Sequence, residues 1–231
     1  MASDTLPWPK IWACNSYCTE ENIVNIPVRE IILVTQHADG RPHIAPMGVR
    51  DQDDRVLVAP FRPSATLDNL LRDRRAVISC TDDVRVYAGC LSGRRDWPLE
   101  PVHGGFRLRD ALSHESLALS TVEEDRLRPR LTCTVTEAAQ HRPFRGFNRA
   151  QAAVLELAIL ASRLDRLSRG KIIQEMGYLE IAMGKTAGPR ELEAWRWLAA
   201  KVNAALEFER PTGFDAAPHI SDGSNLSPAA S

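Results

Sequence analysis

From Arg29 onward the apolar positions fall into short β-type runs separated by polar turns. Glu30-Ile31-Ile32-Leu33-Val34-Thr35-Gln36-His37 is β-branched and apolar, and Asp39-Gly40 then supplies a tight-turn dipeptide. Arg41 to Arg50 reads as the return strand and Asp51 to Asp54 as a second polar turn. Arg55 to Pro60 is a third strand, so the opening is a β-meander. After Phe61 the period changes. Pro63-Ser64-Ala65-Thr66 is a helix start, followed by Leu67, Leu70 and Leu71 at i, i+3, i+4 spacing.

A fourth strand is predicted over Ala76 to Cys80. Val84 to Leu91 reads as a short helix capped by Asp82 or Asp83. Gly93 to Gly105, with two prolines and three glycines, reads as a loop. Two further strands span about Ser113 to Val122 and Arg130 to Thr136, around the charged turn Glu123-Glu124-Asp125. The last third is helical. Asn148 to Leu167 carries a broad apolar stripe through Val154, Leu155, Ala158, Ile159 and Ala161, with Arg163, Asp165 and Arg166 outward. Gly177 to Met183 alternates weakly and is expected to return a strand to the sheet. Pro189 starts a helix that runs to about Glu207, with Glu191 and Glu193 near its positive end.

These elements divide the chain into an N-terminal arm (1–28), a β-barrel core (29–145), a helical extension with a returning strand (146–208) and a disordered tail (209–231). Trp8 and Trp12 suggest that the arm packs against something. The fold class expected is α+β, mainly β.

Composition narrows the function classes. The chain has 231 residues, 44% of them hydrophobic, and a formal charge of −1, which removes any global electrostatic case for nucleic acid or an anionic membrane. No segment approaches the roughly 18 consecutive apolar residues of a spanning helix. The richest, Ala152 to Ala161, is broken by Glu156. Cys14, Cys18, Cys80, Cys90 and Cys133 form no CxxC pair, so neither a metal site nor a disulfide framework is expected, and the chain reads as cytoplasmic. The six histidines show no HExxH or triad order, and no GxSxG, Walker or dinucleotide fingerprint is present.

The most informative stretch is Ile44-Ala45-Pro46-Met47-Gly48-Val49, followed by Pro60-Phe61-Arg62-Pro63-Ser64-Ala65-Thr66-Leu67-Asp68-Asn69. Pro46 inside a strand marks an edge or a bulge, and Gly48 lets a planar ligand approach the backbone. Ser64 to Thr66 offer free N–H groups, two hydroxyls and the positive end of a helix dipole. Those parts suit a phosphorylated aromatic cofactor, but on spacing alone a plain N-cap is the favoured reading. Asn148-Arg149 reads either as a cap with a surface ion pair or as a ligand contact. Lys185-Thr186 reads either as a turn or as an anion contact, and Asp82-Asp83 as a helix cap rather than a metal site.

Four passages resemble a family of split-barrel, flavin-binding proteins known as domain of unknown function four-four-seven. They are Asp39 to Val49, Pro60 to Leu70, Pro143-Phe144-Arg145-Gly146-Phe147-Asn148-Arg149-Ala150 with the helix through Glu156, and Gly184-Lys185-Thr186-Ala187-Gly188. They occur in the family's order and span roughly Ile31 to Ala205; where the family tends to carry Asn in the fourth strand this chain has Ser79. The resemblance implies a flavin reductase-like split β-barrel with a C-terminal helical extension. It also implies a homodimer with FMN at or near the interface. The cofactor contacts it suggests are Met47, Gly48, Val49, Phe61, Arg62, Ser64, Ala65, Thr66, Asn69, Asn148, Arg149, Lys185 and Thr186. Met47 to Val49 are expected alongside the isoalloxazine ring and Ser64 to Thr66 around the phosphate.

The expected function is an FMN-binding oxidoreductase with a small-molecule redox substrate, in cytoplasmic metabolism linked to methanopterin and one-carbon units. Because the cofactor carries the chemistry, no catalytic side chain need stand out. The alternative is a non-enzymatic flavin- or pterin-binding partner of a biosynthetic complex. Neither nucleic acid nor membrane is expected as a partner.

Overall fold

The structure is a computed structural model that describes residues 26–52 and 54–208. The expected arm up to residue 25, with Trp8, Trp12, Cys14 and Cys18, and the expected tail from residue 209 lie outside the described residues.

Six strands form a barrel. β1 (Val28–Gln36), β2 (Pro42–Gln52) and β3 (Arg55–Val58) are the meander, β4 (Arg75–Cys80) follows helix α1 (Ala65–Asp73), and two further long strands complete the ring. Between β4 and those two lie helix α2 (Val84–Leu91) and a two-stranded hairpin, β5 (Leu99–Val102) and β6 (Gly105–Leu108). The last two barrel strands are then β7 (Ser113–Glu123) and β8 (Arg130–Gln140), and the order around the barrel is β1-β2-β3-β8-β7-β4. The ring closes through three β1–β4 pairs, Ile32↔Ser79, Leu33↔Ile78 and Val34↔Val77. Most of the wall is thus continuously paired, and openings are confined to stretches where a strand outruns its neighbour.

β1 is a run of buried residues because both its faces are covered. Ile31 and Leu33 point into the barrel with Val49, Ile78 and Leu131, and α1 plugs that interior with Leu67 and Leu70. Ile32 and Val34 point outward against Tyr87 and Cys90 of α2 and Leu108 of β6. α2 is covered on both sides, since Val84 and Ala88 belong to the helical core beyond it. That double burial is why the segment has no clean helical period. Asp83 caps it, accepting the Arg85 N–H at 3.1 Å, and Arg85 reaches Glu193 at 3.2 Å.

The helical layer consists of α3 (Arg149–Ala161), a 3₁₀ turn (Leu164–Arg166), α4 (Arg169–Thr186) and α5 (Pro189–Phe208). Its core is built on Val154, Leu157, Ile172, Leu198 and Val202. No helix among the described residues is long and apolar enough to cross a membrane.

Three expectations need correction. The stretch Gly93 to Gly105 is not all loop: Leu99 to Val102 pair with Gly105 to Leu108, and Gly104 takes the left-handed backbone (φ 81°) that the tight turn demands. Ser79 Oγ anchors the hairpin by accepting the Leu108 N–H at 3.0 Å. Gly177 to Met183 is not a returning strand but part of α4, where Ile172, Leu179 and Met183 fall on one buried helical face. The helix expected over Asn148 to Leu167 ends at Ala161, and the chain turns through a 3₁₀ segment instead.

Candidate functional site

β2 pairs with β1 along most of its length but with β3 only over Val49 to Gln52. The reason lies in the sequence after Val58. Pro60 and Pro63 cannot donate to a ladder, so the chain leaves the sheet there. Residues 43–48 of β2 therefore have no strand partner on the β3 side. This is the split in the barrel wall.

A cleft of about 620 Å³ opens beside it, floored by Pro46, Met47 and Gly48 and flanked by Phe61. Its far wall comes from the C-terminal half of α3, with Leu155 and Ile159, and from Arg163 and Arg166 just beyond. Tyr87 closes the inner end; burial pushes its hydroxyl pKa up, and that hydroxyl donates to the Glu30 carbonyl at 3.0 Å. Phe61 is 53% exposed, held by the Arg128 guanidinium 4.5 Å from its ring centroid, while Arg128 also donates to the Ala59 carbonyl. Gly48 matters by what it lacks. A Cβ there would lie 2.8 Å from Val28 Cγ1 and 3.3 Å from a Glu30 carboxylate oxygen.

Of the sequence-predicted contacts, Met47, Gly48 and Phe61 line this cleft. Val49 does not: it is fully buried in the barrel interior, on the face of β2 where Met47 also packs before reaching the cleft. Ser64, Ala65 and Thr66 follow at the start of α1. Ser64 is the N-cap, its Oγ accepting the Leu67 N–H at 3.3 Å. Thr66 is buried, and its Oγ1 shares a 3.1 Å hydrogen bond with His43 Nε2; burial is the main cause that holds the His43 pKa below its usual value, with His37 and Arg95 adding to it. Asn69 is also buried and occupied. It donates to Thr35 Oγ1 at 3.0 Å and accepts from Arg72 at 3.2 Å. Arg62 pairs with Glu124 on the surface at 3.0 Å.

Asn148, Arg149, Lys185 and Thr186 form a second group. Asn148 caps α3, accepting the Ala150 N–H at 2.8 Å, and donates to the Thr186 carbonyl at 3.2 Å. This ties the start of α3 to the end of α4. The cleft residues sit towards the other end of α3, a helix about 20 Å long at 1.5 Å per residue. Lys185 and Thr186 occupy the last turn of α4 rather than a loop after a strand, so the backbone there presents a helix's negative end. Within one chain, the two groups do not converge.

The cleft also contains residues that sequence reasoning passed over, namely Arg50, Tyr87, Arg128, Arg163 and Arg166. They come from four separate segments, and only the i, i+3 spacing of Arg163 and Arg166 was visible beforehand.

Comparison with known proteins gives the following. A family model described as "Protein of unknown function (DUF447) N-terminal domain" matches residues 29–142, and its companion, "Protein of unknown function (DUF447)", matches residues 148–200. No curated protein matches the chain. Among solved structures, an FMN-bound DUF447 protein from Methanosarcina mazei is similar at 18% identity, with a TM-score of 0.66, over 76% of this chain and 95% of that one. At that identity the likeness shows the fold, a split barrel with a C-terminal helical extension. A putative flavin reductase from Haemophilus somnus matches at 14% identity and a TM-score of 0.43, over 49% of this chain and 81% of that one. The flavin reductase PheA2 matches at 16% and 0.44, over 49% and 80%.

Proposed function

We propose that this chain, which belongs to the DUF447 family, is an FMN-binding oxidoreductase whose flavin lies along the unpaired edge of β2. The observation that carries this reading is the split itself. Pro46, Met47 and Gly48, on the stretch of β2 that has no β3 partner, floor an open cleft, and Val28 and Glu30 pack beside Gly48 on the same lining. The volume, about 620 Å³, lies within the 300–1,000 Å³ typical of ligand sites. The resemblance to the FMN-bound Methanosarcina mazei protein supplies the identity of the cofactor.

Bound FMN supplies the hydride and electron chemistry. The protein's part is binding and orientation. Free backbone groups of β2 at Met47 and Gly48 would hydrogen-bond the ring's polar edge, and Phe61, Leu155 and Ile159 on the same lining would keep water away. The phosphate is assigned to the start of α1. A hydroxyl accepts two hydrogen bonds and donates one, so Ser64, which already accepts from Leu67, still has its proton to give. The amides of Ala65 and Thr66 add the positive end of the helix. The Thr66 hydroxyl is left out of this assignment because it is buried against His43. The setting that the family resemblance suggests is cytoplasmic cofactor metabolism linked to methanopterin.

The purified protein is expected to show a flavin spectrum that NADH, NADPH or a reduced pterin bleaches anaerobically. Binding without bleaching by any of them would favour the non-enzymatic flavin-binding reading. Ser64→Ala is expected to weaken FMN roughly tenfold, the scale of one charge-assisted hydrogen bond, while riboflavin affinity stays unchanged. Its cost in stability is only about 1 kcal/mol. Equal weakening of both ligands would place the phosphate elsewhere.

The homodimer belongs to the same reading. Phe144 and Phe147, edge-to-face at 5.2 Å, project from the loop before α3, 54% and 99% exposed. Exposed aromatics of this kind are anchors in search of a pocket, and a second copy supplies one. Light scattering is expected to give twice the 25.7 kDa chain mass, and Phe147→Ala to shift the equilibrium towards monomer. A monomer at micromolar concentration would contradict the assignment.

A further inference from the structure

The wall of the cleft opposite β2 carries a pair of cations held in a fixed relation. Arg163 follows the α3 C-cap, and Arg166 ends the 3₁₀ turn that begins there, closed by the Arg166 N–H to the Arg163 carbonyl at 3.0 Å. Arg163 is the N-cap of that turn, and this bond holds the two residues one turn apart. Both line the cleft, and Arg50 lines it from β2 on the facing side. Among the described residues Arg50 and Arg163 make no ion pair, and Arg166 only an exposed one with Asp165 at 3.5 Å. Among the described residues of the lining the sole acid is Glu30. Neutralising the negative end of α3 accounts for one arginine near Ser162. It does not account for the one on the facing wall.

We propose that Arg163, Arg166 and Arg50 form a clamp for the anionic end of the second reactant, a molecule whose phosphate or carboxylate groups lie some distance from its reacting ring. This rests on the flavin reading above, which puts the FMN phosphate at α1 and so leaves the arginine wall to the other ligand. Guanidinium forks suit either anion, since each presents two acceptor oxygens to parallel N–H donors. The apolar lining from Leu155 and Ile159, on the helix that leads to Arg163, fits the uncharged middle of such a molecule.

The test uses FMN-loaded full-length protein, wild type and Arg163→Ala/Arg166→Ala, titrated calorimetrically at low ionic strength with pyrophosphate and with triglutamate. At least one probe is expected to bind wild type and to weaken about tenfold or more in the variant, as loss of charged hydrogen bonds requires. FMN affinity is expected to change less than about twofold, because Ser64 and the α1 amides are untouched. Binding of pyrophosphate alone identifies a phosphorylated reactant; binding of triglutamate alone identifies a polycarboxylate. Failure of both probes on wild type overturns the clamp. Equal weakening of FMN and probe also overturns it, since the arginines would then hold the flavin's own phosphate. If wild type takes up no FMN, the flavin reading fails by itself, and the same titration of the unloaded protein still decides whether the clamp exists.

Discussion

Gly48→Val is expected to abolish flavin binding, weakening FMN about a hundredfold or more, while leaving the barrel folded. Gly48 stands opposite Glu30 in the β1–β2 ladder, and its face belongs to the outer wall that floors the cleft. A Cβ there meets Val28 Cγ1 at 2.8 Å and Glu30 Oε1 at 3.3 Å. Val28 begins its strand and is 46% exposed, so it turns aside at little cost; the Glu30 side chain is likewise at the surface. Valine also suits a strand better than glycine, which offsets part of the crowding. The isopropyl group takes the space these two side chains hold and pushes them into the cleft that both line, where they crowd the ring. A hundredfold loss corresponds to about 2.7 kcal/mol, within reach of steric exclusion by two methyl groups. Fluorescence titration with FMN measures the affinity, and circular dichroism with a melting curve verifies the fold. Undiminished affinity in a folded variant would move the ring off the outer wall of β2.

The parts of the barrel that were legible in the sequence are those where local and tertiary signals agree. β1 announces itself because five consecutive buried positions are all β-compatible, and Asp39-Gly40 ends it with the residues a tight turn needs. α1 is legible for the same reason, with Ser64 capping and Leu67 and Leu70 buried. The β5–β6 hairpin was hidden by its own prolines and glycines. Pro101 sits in a two-stranded edge where a missing N–H costs nothing, and Gly104 is the turn rather than a breaker. α4 was hidden by exposure. Tyr178 and Ile181 are 73% and 51% exposed, so apolar residues appear on both faces of the helix, and a weak alternation mimics a strand.

The candidate site divides along the same line. Met47, Gly48 and Phe61 were legible because a proline and a glycine in a strand, followed by two more prolines, describe a local event: the ladder stops and an edge opens. Thr66 and Asn69 have the right chemistry for a ligand, yet the fold spends it on His43, Thr35 and Arg72. Nothing local to those residues reveals that. The arginine wall is a tertiary product, since Arg50 shares a cleft with Arg163 and Arg166 only because α3 returns its C-terminal end to the wall facing β2.

That return of α3 depends on its buried face, and Leu157→Ala is the substitution expected to cost the most stability. Leu157 is fully buried in the helical core, in a cluster with Val84 and Ala88 of α2 and Leu198 of α5. Truncating such a leucine costs about 2–5 kcal/mol, the lost transfer energy plus the cavity left behind. For a chain of this size each kcal/mol lowers Tm by about 2–4 °C, so a fall of roughly 4–20 °C is expected. Leu192→Ala, in the same helical layer but 39% exposed, is expected to stay within about 0.5 kcal/mol of wild type. Calorimetry reads more than the size of the shift. α2 gives Val84 and Ala88 to the helical core and Tyr87 and Cys90 to the outer face of the barrel, so the two layers share one element with no apolar face to spare. A single transition that moves as a whole is therefore expected. Two transitions, of which only one responds to Leu157→Ala, would mean that the helical layer melts separately and that α2 does not bind it to the barrel.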